Sequence, residues 1–271
     1  MRFTHYVLPF TFLSIKVHIE MKKAVLIFII LASYESPSWA QHYFTFGVGF
    51  SGAFFKSRDL DRFKDTYNLV NSSSLAKYMR GIDGAVGLRW EVGYRYMGGL
   101  STAVLVGLQN YTSKDAATYQ NGETRNLQLE MNSMVVEWEI GHTHNNLFIS
   151  GVFTLFFNRK LILESEYSGL LEKDPLSGTY ISDATISTDL GIAIGIIRRQ
   201  IILSGKITYP IFTGGKSSVL KDKRLEKIAD GIDIFPADYA DYCFGKTYDG
   251  VASDIDGLKV LVTVALAIPL K

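Results

Sequence analysis

The residues best placed to do chemistry are charged side chains that interrupt otherwise apolar runs. Arg89, Glu91 and Arg95 fall at alternating positions of Ala85–Tyr96, Glu137 and Glu139 do the same in the run ending at Ile140, and Lys206 lies among Ile201, Leu203 and Ile207. If these six share one interior, they must pair or keep water, because a buried charge without either is costly. An arginine–glutamate–lysine network would plug such an interior, whereas the same groups along an open passage would select ions.

Other chemistries find fewer parts. Downstream of residue 40 the histidines are His42, His142 and His144, and no serine nucleophile motif accompanies them. Hydrolysis or acyl transfer through a Ser–His pair is therefore not expected. His142 and His144 could offer two metal ligands, but a lone pair in a turn is ordinarily solvated, so neither metal nor cofactor is expected. Asp230, Asp233, Asp238, Asp241, Asp249, Asp254 and Asp256 lack the regular spacing of a calcium loop and read as a solvated acidic segment. Cys243 is the one cysteine, which rules out an intrachain disulfide and a cysteine-based zinc or redox site. A net charge of +1 argues against nucleic-acid binding and against electrostatic attachment to a membrane.

The elements that must position these charges are strands. In Ala85–Tyr96, Val86, Leu88, Trp90, Val92, Tyr94 and Tyr96 alternate with Ala85, Gly87, Arg89, Glu91, Gly93 and Arg95, the period-2 pattern of a strand with two unlike faces. The same alternation predicts strands over 43–54, 100–111, 127–140, 147–163, 186–197, 201–211 and 258–270. Apolar residues change parity near Asn132-Ser133, where one extra residue, a β-bulge, would restore a common face. Strand 147–163 is apolar on both faces around Phe153–Phe157 and leaves its orientation open. Short turns are expected at Met97-Gly98-Gly99, with glycine supplying positive φ, at His142–Asn145 and at Arg198–Gln200. Long polar connections are expected at 56–81, 112–125, 164–183 and 213–257, with helical pieces near 60–67 and 218–229.

Long and short connections alternate, which puts both ends of the strand array on the short-turn side, as in a closed up-and-down barrel with an even strand number. Volume orients its faces. Roughly forty bulky apolar side chains would not fit inside a barrel of about eight strands, whose interior is just wide enough for side chains to fill. The opposite face, with Gly47, Gly49, Ala53, Gly191, Ala193 and Gly195, is too small and too sparsely charged for a solvated exterior. The apolar face is therefore expected to meet lipid and the charged face the lumen.

Met21-Lys22-Lys23, the apolar run Ala24–Ala32 and Ser38-Trp39-Ala40 form a secretory signal over 21–40, with cleavage expected between Ala40 and Gln41. Residues 1–20 lie upstream of that complete signal and are read as an extension outside the fold, with Met21 as the start. Residues 41–271 form one all-β domain, a transmembrane barrel with short periplasmic turns and long extracellular loops.

The signal, the alternating strands and the loop parity together resemble the small outer-membrane β-barrel families of the OmpX-like and PorT-like kinds. The likeness is architectural and covers residues 41–271. It implies an integral outer-membrane protein whose partners are membrane lipid, the outer-membrane assembly machinery and, through the long loops, an extracellular protein or ligand. One departure is that the chain ends Ile268-Pro269-Leu270-Lys271, where such barrels commonly end in an aromatic residue. The function expected is a non-enzymatic structural or surface-interaction role with a plugged lumen. A small pore, a lipid-modifying enzyme and a soluble periplasmic carrier are the alternatives.

Overall fold

The computed structural model describes residues 41–169, 177–181, 185–212, 221–222 and 257–270. The signal segment with Ala40, the extension before it, the acidic segment with its expected helix at 218–229, Cys243 and Lys271 lie outside the described residues; Gln41 is the first residue of the first strand.

The strands are β1 (Gln41–Phe55), β2 (Leu75–Lys77), β3 (Gly84–Met97), β4 (Leu100–Tyr119), β5 (Thr124–His144), β6 (Leu147–Tyr167), β7 (Gly178–Ile181), β8 (Thr185–Arg198), β9 (Ile201–Phe212), β10 (Lys221–Asp222) and β11 (Gly257–Leu270), with one helix, α1 (Arg58–Val70). Eight of them close a ring of antiparallel pairs in the order β1-β3-β4-β5-β6-β8-β9-β11 and back to β1. The closing pair sets His42 against Leu270 and Phe54 against Leu258. A closed ring leaves no unpaired edge, the condition for β-structure to cross a bilayer. No described helix is long and apolar enough to cross one.

The two faces separate as the alternation predicts. Val86, Leu88, Trp90, Val92 and Tyr94 are exposed on the outside of β3, while Arg89, Glu91 and Arg95 are buried inside. The same division runs round the ring, with Phe50, Leu108, Ile140, Ile192, Ile207 and Val264 outward and Ser51, Gln109, Glu139, Ala193, Lys206 and Thr263 inward. Such an unbroken apolar exterior is the surface of a membrane-spanning barrel and not of a soluble carrier. On β6 the open question is answered by Phe148, Ser150, Val152, Thr154 and Phe156 turning inward.

Four sequence expectations are corrected. The connection at 112–125 is largely strand, and that at 164–183 begins as strand up to Tyr167 and contains β7, because β4, β5 and β6 continue as a tall extension above the apolar belt. Apolar residues there face inward: Leu127, Leu129, Met131, Leu161 and Leu163 form a core with Leu60, Phe63 and Tyr67 of α1. This also removes the bulge expected at Asn132-Ser133. β5 keeps one parity throughout, and its apolar side switches because lipid lies outside the lower half and a protein core lies inside the upper half. The extra residue is on β6, where Asn132 pairs with Lys160 and Met134 with Phe157, and Asn158 takes φ 51°. Asparagine tolerates that left-handed conformation better than most residues. Finally, neither Gly98 nor Gly99 has a positive φ; the residues that do in the other short turns are Asn145 and Arg199.

α1 is longer than the expected 60–67. Ser57 caps it, its hydroxyl accepting from the Leu60 amide at 3.3 Å. Leu60, Phe63 and Tyr67 then fall on one helical face and enter the barrel mouth.

Candidate functional site: the barrel lumen

The lumen is built in layers. Nearest the short turns, Tyr43, Met97, Phe148, Ile197 and Ile202 pack with Ala265 and Ala267 as an apolar floor. Above it lies the charged layer. Arg95 Nη2 reaches Glu139 Oε2 at 2.7 Å, and its guanidinium stacks on the Phe148 ring at 4.6 Å. Arg89 Nη1 lies 2.9 Å from Glu137 Oε2, and its Nε faces Glu91 Oε2 at 3.0 Å, off the hydrogen-bond line. Lys206 stands among all three carboxylates: it donates to Glu137 Oε1, lies 2.9 Å from Glu139 Oε1 and 3.6 Å from Glu91 Oε2.

All six residues nominated from sequence thus meet, drawn from β3, β5 and β9. Three cations face three carboxylates, a locally neutral set, and each is at most 5% exposed. Burial strips these groups of water, so their mutual attraction is what offsets the lost hydration. Thr154 adds a hydroxyl donated to Glu137 at 3.1 Å. The void bordered by Arg89, Glu137, Thr154, Lys206 and Lys259 measures about 10 Å³, room for about one water.

A second pair lies in the same lumen, and sequence reasoning passed over it. Lys259 Nζ donates to Asp189 Oδ2 at 2.8 Å and Oδ1 at 3.0 Å, Thr208 donates to the same carboxylate at 3.0 Å, and the ammonium sits 4.5 Å from the centre of the Phe156 ring. Nearby, Arg159 donates to Ser187 at 3.2 Å. The signal for Lys259 was present, since it lies on the small-residue face of its strand; Arg159 was hidden by the bulge that precedes it.

The mouth is closed by α1 and the segment after it. Asn68 holds that segment at both Met79 backbone groups, each at 3.0 Å, and Asp115 accepts from the Arg80 and Gly81 amides at 3.3 and 2.8 Å. Tyr67 and Tyr119 share a hydroxyl–hydroxyl bond, beside the buried Arg125 guanidinium. Burial, reinforced by Tyr119, pushes the Tyr67 phenol well above its ordinary value.

The histidines take no part in this interior. His42 bonds the Tyr94 hydroxyl and lies 5.0 Å from the Tyr96 ring on the outer surface. His142 and His144 share the outer parity of β5 at the short-turn end. Among the described residues, no three His, Cys, Asp or Glu side chains gather as a metal site.

No protein-family model matches the chain, and no curated protein does either. Among solved structures, the chain is similar to Ail, the attachment invasion locus protein of Yersinia pestis in complex with the heparin analogue sucrose octasulfate, at 8% identity and TM-score 0.38 over 84% of this chain and 99% of that one. A major outer membrane protein of Thermus thermophilus follows at 13% identity and TM-score 0.40, over 83% and 99%. The outer membrane protease OmpT of Escherichia coli follows at 8% and 0.39, over 88% and 100%. The barrel is established by this chain's own strand pairing: it is a closed, eight-stranded, antiparallel transmembrane β-barrel of the outer-membrane type of architecture.

Proposed function

We propose that this protein is a non-conducting, non-enzymatic barrel of the bacterial outer membrane, reached there through a cleaved signal ending at Ala40, and that it works as an envelope or surface-interaction protein through its long-loop end. The observation that carries the plug is the neutral cluster of Arg89, Arg95, Lys206, Glu91, Glu137 and Glu139, which crosses the lumen with about 10 Å³ of void beside it. An apolar floor lies on one side of it and the α1 cap on the other. A hydrated ion would have to displace paired charges and two packed layers. A surface role is supported by where the structure is elaborated: β4, β5 and β6 rise above the lipid belt and hold α1 in place, while at the other end the strands are joined, among the described residues, by two-residue turns.

Recording from the purified protein in planar bilayers tests this reading. The expected result is no steady conductance. A sustained open level that rises when Glu137 or Arg89 is replaced would establish the pore instead.

A further inference from the structure

At the short-turn end, the lipid-facing surface of β8 and β9 finishes in two arginines. Ile192, Ile194 and Ile196 are exposed on the outside of β8, and Arg198 continues their column. Across the ladder Arg198 pairs with Ile201, which is exposed on the outside of β9. Arg199 follows as the first turn residue and is exposed as well. The Gln200 carbonyl after it accepts from the Ala267 amide at 2.7 Å, which fixes the turn against β11. A long cationic side chain at such a place lays its methylenes along apolar surface and keeps its head at the lipid–water boundary. Tyr94, on the outside of β3, marks the same boundary.

Nothing of opposite sign stands beside the two arginines. The short-turn end comprises residues 41–49, 94–106, 138–150, 193–205 and 264–270, and the one carboxylate in these stretches is Glu139. It is buried and held by Arg95 and Lys206. Neither Arg198 nor Arg199 has an ion-pair partner among the described residues. The long-loop end differs, since Lys114 and Lys160 are interspersed there with Glu130, Glu164 and Glu166. The backbone adds a second observation. Arg199 holds φ 57° at the place where the β5–β6 turn has Asn145 at φ 56°. Asparagine accepts that left-handed conformation and arginine adopts it under strain, which marks Arg199 as kept for its side chain and not for its fit to the turn.

We propose that the β8–β9 corner is a docking surface for an anionic phospholipid of the leaflet at the short-turn end, with Arg198 and Arg199 taking the headgroup phosphate and the exposed isoleucines of β8 and β9 taking the acyl chains. Guanidinium groups match phosphate oxygens in pairs of hydrogen bonds. A zwitterionic headgroup brings an ammonium that finds no carboxylate here. A soluble acidic protein would meet the two charges but not the apolar column of Ile192, Ile194 and Ile196 that runs into them. Selection of the anionic lipid amounts to about fivefold for each arginine held at such a surface. The inference rests on the barrel crossing a bilayer, and it is independent of whether the lumen conducts and of which compartment the short turns face.

Quenching of tryptophan by brominated acyl chains, in vesicles that mix phosphatidylglycerol with phosphatidylcholine and carry the bromine on one or the other, measures which lipid lies against a chosen strand. The reporter is Leu203→Trp, on the outside of β9 and paired with Ile196, in a full chain whose Trp39, Trp90 and Trp138 are replaced by phenylalanine. Thr102→Trp in the same background, beside the uncharged Gly98-Gly99 turn, is the control. Phosphatidylglycerol is expected to be preferred about fivefold or more at Leu203→Trp and not at Thr102→Trp. Arg198→Gln with Arg199→Gln should bring the first value down to the second. Arg199→Asn alone should lower the preference while its urea midpoint for unfolding stays level or rises, because the turn is relieved of strain. Heat-modifiable gel migration shows that each variant is folded. No preference at Leu203→Trp, an equal preference at both reporters, or a preference that survives the double substitution overturns the site. So does an Arg199→Asn variant that loses stability and keeps the preference, since that arginine would then serve the turn.

Discussion

Arg89 and Glu137 lie 2.9 Å apart although β4 separates their strands, so the contact spans the lumen wall across an intervening strand. Glu137 also takes the Lys206 ammonium and the Thr154 hydroxyl, and is fully buried. Replacing it with glutamine keeps the shape and removes the charge that two cations share. The expected cost is about 3–5 kcal/mol, the range for breaking a buried ionic group from one side, seen as a lower urea midpoint for unfolding from lipid vesicles. Removing a matched pair, Arg89→Met with Glu137→Leu, leaves Arg95 and Lys206 facing Glu91 and Glu139 and should cost much less. If the single and double variants unfold at the same urea concentration, the network does not hold its charges in the way described.

That network was legible in the sequence because alternation exposes it. A charged residue on the small-residue face of a strand has one place to go once the apolar face is given to lipid, and Arg89, Glu91, Arg95, Glu137, Glu139 and Lys206 obey the rule. The upper half was not legible for the same physical reason. Leu127, Leu129 and Met131 carry the same alternation as the belt, but they face a core inside the barrel. Period 2 says that two faces differ and not which one is covered. Composition misled in a similar way at Thr112–Tyr119, where threonine, serine, lysine and aspartate suggested a loop although the strand continues with water on one side and the cap on the other. The α1 cap joins residues far apart in sequence, such as Tyr67 with Tyr119, and no local pattern encodes that pairing.

The cap should have an alkaline limit set by Tyr67. Its folded-state pKa is raised by burial and by the Tyr119 hydroxyl, so the folded protein favours the protonated phenol. The contribution is complete below the ordinary phenol value of about 10 and is lost as pH climbs from there toward the folded value. Spectrophotometric titration should show tyrosines that ionise in the ordinary range, then a late step that coincides with exposure of α1. In Tyr67→Phe the late step should lose the amplitude of one tyrosine. A difference titration between the two proteins that places Tyr67 in the ordinary range would contradict its burial under the cap.

Asn158 is the extra residue by which β6 changes its numbering parity between the two halves of the barrel. Below it, β6 turns Phe148, Ser150, Val152, Thr154 and Phe156 inward; above it, Arg159, Leu161, Leu163 and Ser165 turn inward, and the change from even to odd positions is made by the one extra residue at φ 51°. Deleting Asn158 removes the extra residue and leaves the sides unchanged, with Phe156 in, Phe157 out, Arg159 in and Lys160 out, so Leu161 and Leu163 stay inside; inserting an alanine between Lys160 and Leu161 instead sends Leu161 and Leu163 outside and Ile162 and Glu164 inside. The membrane-embedded half keeps its own register in both variants, so each is expected to migrate as a folded barrel in unheated gels. The deletion variant keeps its cap, whereas in the insertion variant the cap, deprived of two fully buried leucines, should open, and α1 should become sensitive to added protease at concentrations that leave the parent intact. Point substitutions separate backbone from register. Asn158→Gly should be tolerated, because glycine takes the left-handed conformation freely, and Asn158→Val should cost about 1–2 kcal/mol without releasing α1. An insertion variant whose cap resists protease as the parent does would mean that β6 can shift its pairing elsewhere, and the separation into a lipid-facing lower half and a core-facing upper half would not depend on this register.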